Sequence, residues 1–157
     1  MLLLLSISKY NKLKLLKPLK MKIKLAIVVS DFNKEITSIM EKTAVKAAKN
    51  LGAEIVKKIH VPGSFEIPFA VKNILEKGKI DAIVALGAVI QGETYHDILI
   101  MSSVIPKLME LSLQYKKPLG MGIIGPRVTW KQAEARAKEY AERAVKAALE
   151  IGKITKK

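Results

Sequence analysis

From Met21 onward the chain alternates four times between a short apolar, β-branched run and a longer stretch of helical periodicity. Apolar runs of this kind suit strands buried on both faces, and helices between them act as crossovers, so the pattern specifies a parallel sheet between two helical layers. The predicted strands are 22–29, 54–61, 82–86 and 119–124, the last interrupted by Gly120 and Gly122. The predicted helices are 36–51, 69–76, 95–114 with a bend at Pro106, and 129–151, with Gly52 and Gly78 as stops after the first two. The expectation is one α/β domain over 21–157, a three-layer α/β/α sandwich on a four-stranded parallel sheet with flavodoxin-like winding and right-handed crossovers.

Composition narrows the function classes. The chain has 157 residues with 28 Lys+Arg against 14 Asp+Glu, a formal charge of +14. That balance is compatible with polyanions, anionic substrates or plain solvation, and does not choose among them. Without cysteine there is no disulfide framework, thiolate nucleophile or Cys-ligated zinc, and a reducing cytoplasm fits. Two histidines far apart in sequence make no metal site, and no apolar run reaches the length of a membrane helix. Residues 1–20 carry Lys9, Lys12, Lys14, Lys17 and Lys20 and no acid. They lack a signal-peptide layout and are expected to be a disordered basic tail, with Met21 as the start of patterned structure.

Ligands of such sheets bind at the carboxyl ends of the strands, which directs attention to the four loops after them. Each loop segment carries one of the chain's few aromatics: Phe32, Phe65, Tyr95 and Trp130. Four aromatic side chains on one rim suit a flat heterocycle. Thr94 and Asp97 have the spacing of a capping box, which starts a helix just after Gly92 and turns free backbone N–H groups toward an anion such as phosphate. His96 falls in that first turn. A second box, Thr129 to Gln132, starts the last helix and is followed by Arg136, a candidate phosphate ligand, and by Arg143, read as part of a solvated basic face. Glu66, in a Pro-bracketed loop, either caps a helix or accepts hydrogen bonds from a polyol or amine. His60, at a strand end, reads as a structural or surface residue.

Four motifs in order resemble the lumazine synthase family: Ser-Asp-Phe-Asn at 30–33, Val-Pro-Gly-Ser-Phe-Glu-Ile-Pro at 61–68, Leu-Gly-Ala-Val-Ile-Gln-Gly-Glu-Thr-Tyr-His at 86–96, and Gln-Ala-Glu-Ala-Arg-Ala at 132–137. The resemblance covers about residues 21–152. It implies condensation of 5-amino-6-(ribitylamino)uracil with 3,4-dihydroxy-2-butanone 4-phosphate to 6,7-dimethyl-8-ribityllumazine, phosphate and water, with no cofactor and no metal. It implies that Phe32 stacks on the pyrimidine, that Ser64 and Glu66 hold the ribityl chain beside Phe65, and that Val89 and Ile90 line the ring pocket. Gly92, Glu93, Thr94 and Arg136 would bind the phosphate, and His96 would transfer protons. It also implies sites between subunits of a homo-oligomer, a pentamer or a 60-subunit icosahedral shell. Nucleic acid and membrane are not expected as partners.

The sequence departs from the bacterial pattern in two places. Met121-Gly122-Ile123 stands where that pattern has Phe-Gly-Ile, which makes Met121 the candidate for a contact to a neighbouring pocket. A Gly-rich stretch with a lysine after the arginine is replaced by 138–143, expected to be continuous helix, with Arg143 as candidate substitute. The alternatives are the archaeal-type riboflavin synthase paralogue, a non-catalytic flavin or lumazine carrier, and a basic nucleic-acid-binding protein. The last would interleave its cations with its aromatics, whereas here the aromatics gather in the loops.

Overall fold

A computed structural model of the chain describes residues 22–156; the expectations for residues 1–20 and for Met21 lie outside them. Strands β1 (Lys24–Ser30), β2 (Glu54–Val61), β3 (Ala82–Ala88) and β4 (Leu119–Ile124) alternate with helices α1 (Lys34–Asn50), α2 (Ile67–Glu76), α3 (His96–Tyr115) and α4 (Trp130–Thr155). All three strand pairings are parallel and the order is β2-β1-β3-β4, so the flavodoxin-like winding holds. Chain direction across the sheet reverses between β1 and β3, the switch point where such folds open a crevice.

Every residue of β3, and every residue of β1 after Lys24, is buried, because helices cover both faces. β2 lies at an edge and buries only Val61 fully. One core joins Leu25, Ile27 and Val29 of β1 to α1 and α4; the other joins Ala26 and Val28 to α2 and α3. Alternate residues of one strand therefore serve opposite layers, as the pleat requires.

β4 runs unbroken through its two glycines, which corrects the expected interruption. Their role is proximity. α4 buries Ala133, Ala137, Ala141, Ala144 and Ala148 in a stripe of small side chains and its backbone comes down onto β4. A Cβ at Gly120 would lie 2.0 Å from the Ala144 carbonyl oxygen, and one at Gly122 would lie 2.7 Å from Leu86. α4 is also continuous through 138–143, as expected, and longer than predicted at its carboxyl end. Pro106 sits inside α3 without ending it. Among the described residues no helix is long and apolar enough to cross a membrane.

Candidate active site

At the carboxyl ends of the strands an open cavity of about 280 Å³ is built from three consecutive βα loops and the start of α3. The β1–α1 loop contributes Phe32 and Asn33, the β2–α2 loop Gly63, Ser64, Phe65 and Glu66, and the β3–α3 loop Ala88, Val89 and Ile90, with His96 and Ile100 on α3. A larger groove of about 590 Å³ lies on the flank between α1 and α4, lined by Lys42, Lys46, Lys138 and Lys146. It is remote from the strand ends, and its lining has neither an aromatic face nor a histidine, so the smaller cavity is the candidate for chemistry.

Each wall has a local cause. Asn33 adopts left-handed backbone angles (φ 60°, ψ 49°), a conformation that asparagine tolerates better than most side-chain-bearing residues. This turns the chain from β1 into α1 and leaves Phe32 68% exposed over the cavity. The Asn33 amide nitrogen donates to the Ala88 carbonyl at 2.8 Å, which ties the Phe32 turn to the end of β3. In the second loop Ser64–Glu66 form one 3-10 turn before α2. A Cβ at Gly63 would come within 3.1 Å of Glu66 Oε2, so the carboxylate folds back over a bare backbone position. Ser64 is buried and its hydroxyl has no partner among the described residues; Ser30 is in the same position. The two hydroxyls flank Gly87, whose missing side chain leaves the space between them: a Cβ there would meet Ser64 Oγ at 2.5 Å and Ser30 Oγ at 3.2 Å. A buried hydroxyl lining a cavity without a partner is a position for a ligand or water hydrogen bond.

The start of α3 differs from the expected capping box. The residue preceding the helix is Tyr95, with no side-chain cap, and Thr94 and Asp97 are both otherwise engaged. Thr94 Oγ1 lies 2.9 Å from His96 Nδ1. Asp97 turns inward, fully buried, and its Oδ2 accepts the Arg127 backbone N–H at 2.9 Å. The helix still begins at the predicted rim, so its N–H groups face the Gly92–Thr94 turn. His96 folds over that turn: a Cβ on Gly92 would collide with its Cε1 at 2.8 Å. The second capping box is present in full, Thr129 accepting from the Gln132 N–H and Gln132 from the Thr129 N–H.

The hydrogen bond from the Arg127 backbone holds the Asp97 carboxyl below its ordinary value against the opposing effect of burial, with the Ile98 N–H and the Arg127 charge assisting. A depressed carboxylate stabilises the fold above its unfolded-state value and loses that contribution as pH falls through the folded-state value. Asp97→Asn is therefore expected to lower the melting temperature at neutral pH. It should also flatten the acid-side decline below about pH 4, which thermal melts across pH will show.

Of the four rim aromatics, Phe32 and Phe65 line the cavity, while Tyr95 and Trp130 do not. Tyr95 stands 71% exposed before α3, and Trp130 opens α4 on the other face of the sheet. Among the residues expected for phosphate, Gly92, Glu93 and Thr94 sit on the turn beside His96, outside the cavity wall. Arg136, exposed on α4, and Met121, 40% exposed on the edge strand β4, do not line this chain's own cavity. Arg143 bonds Glu139 at 3.2 Å and lies over the Tyr140 ring, as a residue of a solvated helix face does. Sequence reasoning missed Asn33, Gly63, Ala88 and Ile100 as wall residues. Asn33 had a legible signal, an Asn after an aromatic where a strand turns into a helix; Ala88 and Ile100 had none beyond ordinary hydrophobicity. Among the described residues no group of three or more His, Asp or Glu side chains is arranged to hold a metal ion.

Comparison with known proteins adds the following. The family model of 6,7-dimethyl-8-ribityllumazine synthase matches residues 22–156. A 6,7-dimethyl-8-ribityllumazine synthase of Staphylothermus marinus is 50% identical over 128 residues, 82% of this chain and 85% of the relative. One of Methanopyrus kandleri is 48% identical over 129 residues, 82% of this chain and 91% of the relative. One of Archaeoglobus fulgidus is 48% identical over 135 residues, 86% of this chain and 94% of the relative.

Proposed function

The chain belongs to the 6,7-dimethyl-8-ribityllumazine synthase family, and from that premise we propose how its residues divide the work of the reaction. The reaction is a transfer in riboflavin biosynthesis: 5-amino-6-(ribitylamino)uracil and 3,4-dihydroxy-2-butanone 4-phosphate condense, losing phosphate and water. The observation that carries the reading is the cavity itself, with two exposed aromatic faces, a buried hydroxyl without a partner, a carboxylate and an imidazole around one opening.

Phe32 stacks on the pyrimidine, with Val89 and Ile90 along the ring edge. Ser64 and Glu66 take ribityl hydroxyls beside Phe65, which gives the Ser64 oxygen the partner that burial demands. The amine of the pyrimidine attacks the ketone and loses one water to give an imine, phosphate is eliminated, and ring closure expels a second water. Each step moves protons, and His96 is the imidazole placed to move them. Thr94 engages Nδ1 and leaves Nε2 for exchange with substrate. Holding two reactive molecules together accounts for much of the acceleration. His96→Gln is therefore expected to lower kcat about 10- to 100-fold without abolishing turnover.

The phosphate seat combines the Gly92–Thr94 turn, at the amino end of α3, with a guanidinium. Among the described residues no lysine or arginine lines the cavity. We assign the cation to Arg136 of a neighbouring copy and the far wall to that copy's Met121, which makes the site intersubunit. An exposed apolar seam on α3 supports assembly. Leu99, Ser102, Pro106, Met109 and Leu113 recur at alternating three- and four-residue steps on its outer face, with Leu99, Met109 and Leu113 each more than 60% exposed. A helix with such a seam buries it against copies of itself. The assembly is a pentamer, and the uninterrupted α4 favours the closed shell of twelve pentamers. A chain without cysteine suits the cytoplasm.

The test is an assay of purified protein with both substrates, following lumazine absorbance and phosphate release above the uncatalysed condensation. Absence of rate with tight binding of lumazine or riboflavin would replace this reading with the carrier or the paralogous synthase. Sedimentation will separate pentamer from shell.

A further inference from the structure

Outside the cavity, two carboxylates from two elements converge on one imidazole at the edge of the sheet, and a lysine holds one of them. His60, one residue before the end of β2, places Nδ1 2.8 Å from Asp31 Oδ1 and Nε2 3.3 Å from the Glu41 carboxylate. Glu41, on α1, also holds Lys58 Nζ at 2.7 Å. Asp31 belongs to the β1–α1 loop and immediately precedes Phe32. The same stretch is fixed through its backbone: the Asp31 N–H donates to the Val61 carbonyl at 2.8 Å and the Phe32 N–H to that of Pro62 at 2.9 Å. Asn33 anchors the other side of the turn to β3. The aromatic face of the cavity is thus held from three directions, and the only side chain among these anchors that changes charge near neutral pH is His60.

We infer that His60 is a positioning residue for the pyrimidine half-site: by bridging Asp31 and Glu41 it fixes the turn that presents Phe32, and it touches no substrate itself. The inference rests on the proposed stacking role of Phe32. An imidazolium donates from both ring nitrogens, so it satisfies Asp31 and Glu41 together; a neutral imidazole has one N–H and leaves one carboxylate unmatched. Asp31 is the main influence holding the His60 pKa above its ordinary value; partial burial opposes it and Glu41 adds to it. The Glu41 carboxyl is correspondingly lowered: burial works against ionisation, but the bonds from Lys58 and His60 outweigh it. Asp31 and Glu41 are the acids facing the ring from the loop and from α1, and Lys58 is the basic neighbour on β2. A group with a raised pKa contributes fully at low pH and is lost as pH rises through that value, so the clamp is complete on the acid side and loosens on the alkaline side.

The experiment measures KM for each substrate and kcat between about pH 6 and 9 for the wild-type chain, His60→Gln, Asp31→Asn and the double variant. Wild-type KM for the ribitylamino-pyrimidine should climb with pH. In His60→Gln it should already be raised about fivefold at the acid end and stay flat. KM for the butanone phosphate and kcat should change less than about twofold, because the turn presents only the pyrimidine face. Asp31→Asn should raise the same constant, and the double variant should add nothing, as two ends of one bond do. Should His60→Gln fail to fold, Asp31→Asn alone carries the test. Equal changes in both KM values, a loss confined to kcat, or a pyrimidine KM that keeps the wild-type pH dependence in either variant overturns the inference while lumazine is still formed. Absence of lumazine formation by the wild-type chain overturns the reading of the pocket, and this inference with it.

Discussion

Arg136→Ala is expected to reduce kcat/KM for the butanone phosphate about 100-fold, or about 2.7 kcal/mol, with KM for the pyrimidine nearly unchanged. The magnitude is that of a charge-assisted bond to a phosphate in a partly dry site. The assignment has a sharper test than the single variant, because Arg136 does not line its own chain's cavity. Co-assembling Arg136→Ala with a Phe32→Ala/His96→Gln double variant should restore about a quarter of the wild-type activity, since random mixing leaves that share of interfaces with both halves intact. Mixed assemblies that stay as inactive as their parents would show that Arg136 serves its own chain's pocket, or none. Steady-state assays on the mixed and unmixed proteins distinguish these.

The largest expected effect on stability is at Gly120, a residue remote from the chemistry. Its added Cβ would overlap the Ala144 carbonyl at 2.0 Å and the carbonyl carbon at 2.7 Å, both backbone atoms of α4. No rotamer change relieves such a contact; α4 must lift off β4, and it carries eight buried residues into the core. Gly120→Ala should cost about 3 kcal/mol and lower the melting temperature by about 10 °C. Gly152→Ala provides the contrast. It lies in the same helix, where a Cβ would meet Ile23 only at ordinary distances of 3.5 and 3.6 Å. There the gain in helix propensity, up to about 1 kcal/mol, should dominate and raise the melting temperature. Calorimetry on the two variants separates proximity from a general intolerance of glycine replacement in this layer.

The glycines of β4 illustrate how far local reading reaches. Gly120 and Gly122 read locally as breaks in a strand, because glycine weakens strands on average. Only the packing of α4 shows that they are the condition for the strand's place in the sheet. The Thr94 box is a similar case. Its spacing correctly located the start of α3, yet Thr94 bonds His96 two residues on, and Asp97 is taken by a tertiary partner in the β4–α4 loop. The box at Thr129 met no such competitor and formed as read. His60 shows the opposite limit. Nothing in its neighbourhood along the chain predicts a bond to Asp31, which is 29 residues away and comes into register only when β1 and β2 pair.

The alternation of apolar runs with helical period determined the parallel α/β sandwich, because burial on both faces and a crossover length leave few other solutions. The loop motifs determined the family and nominated the loops that wall the cavity, since those residues are contiguous and their spacing survives without knowledge of the fold. What the tertiary structure decided is which side chains share a space. It separated Phe32 and Phe65 from Tyr95 and Trp130, brought Asn33 and Ile100 to the wall, and left Arg136 and Met121 outside it. Distance along a chain carries no information about which face of a sheet a later helix will cover, and in this protein that face separates Arg136 from the pocket.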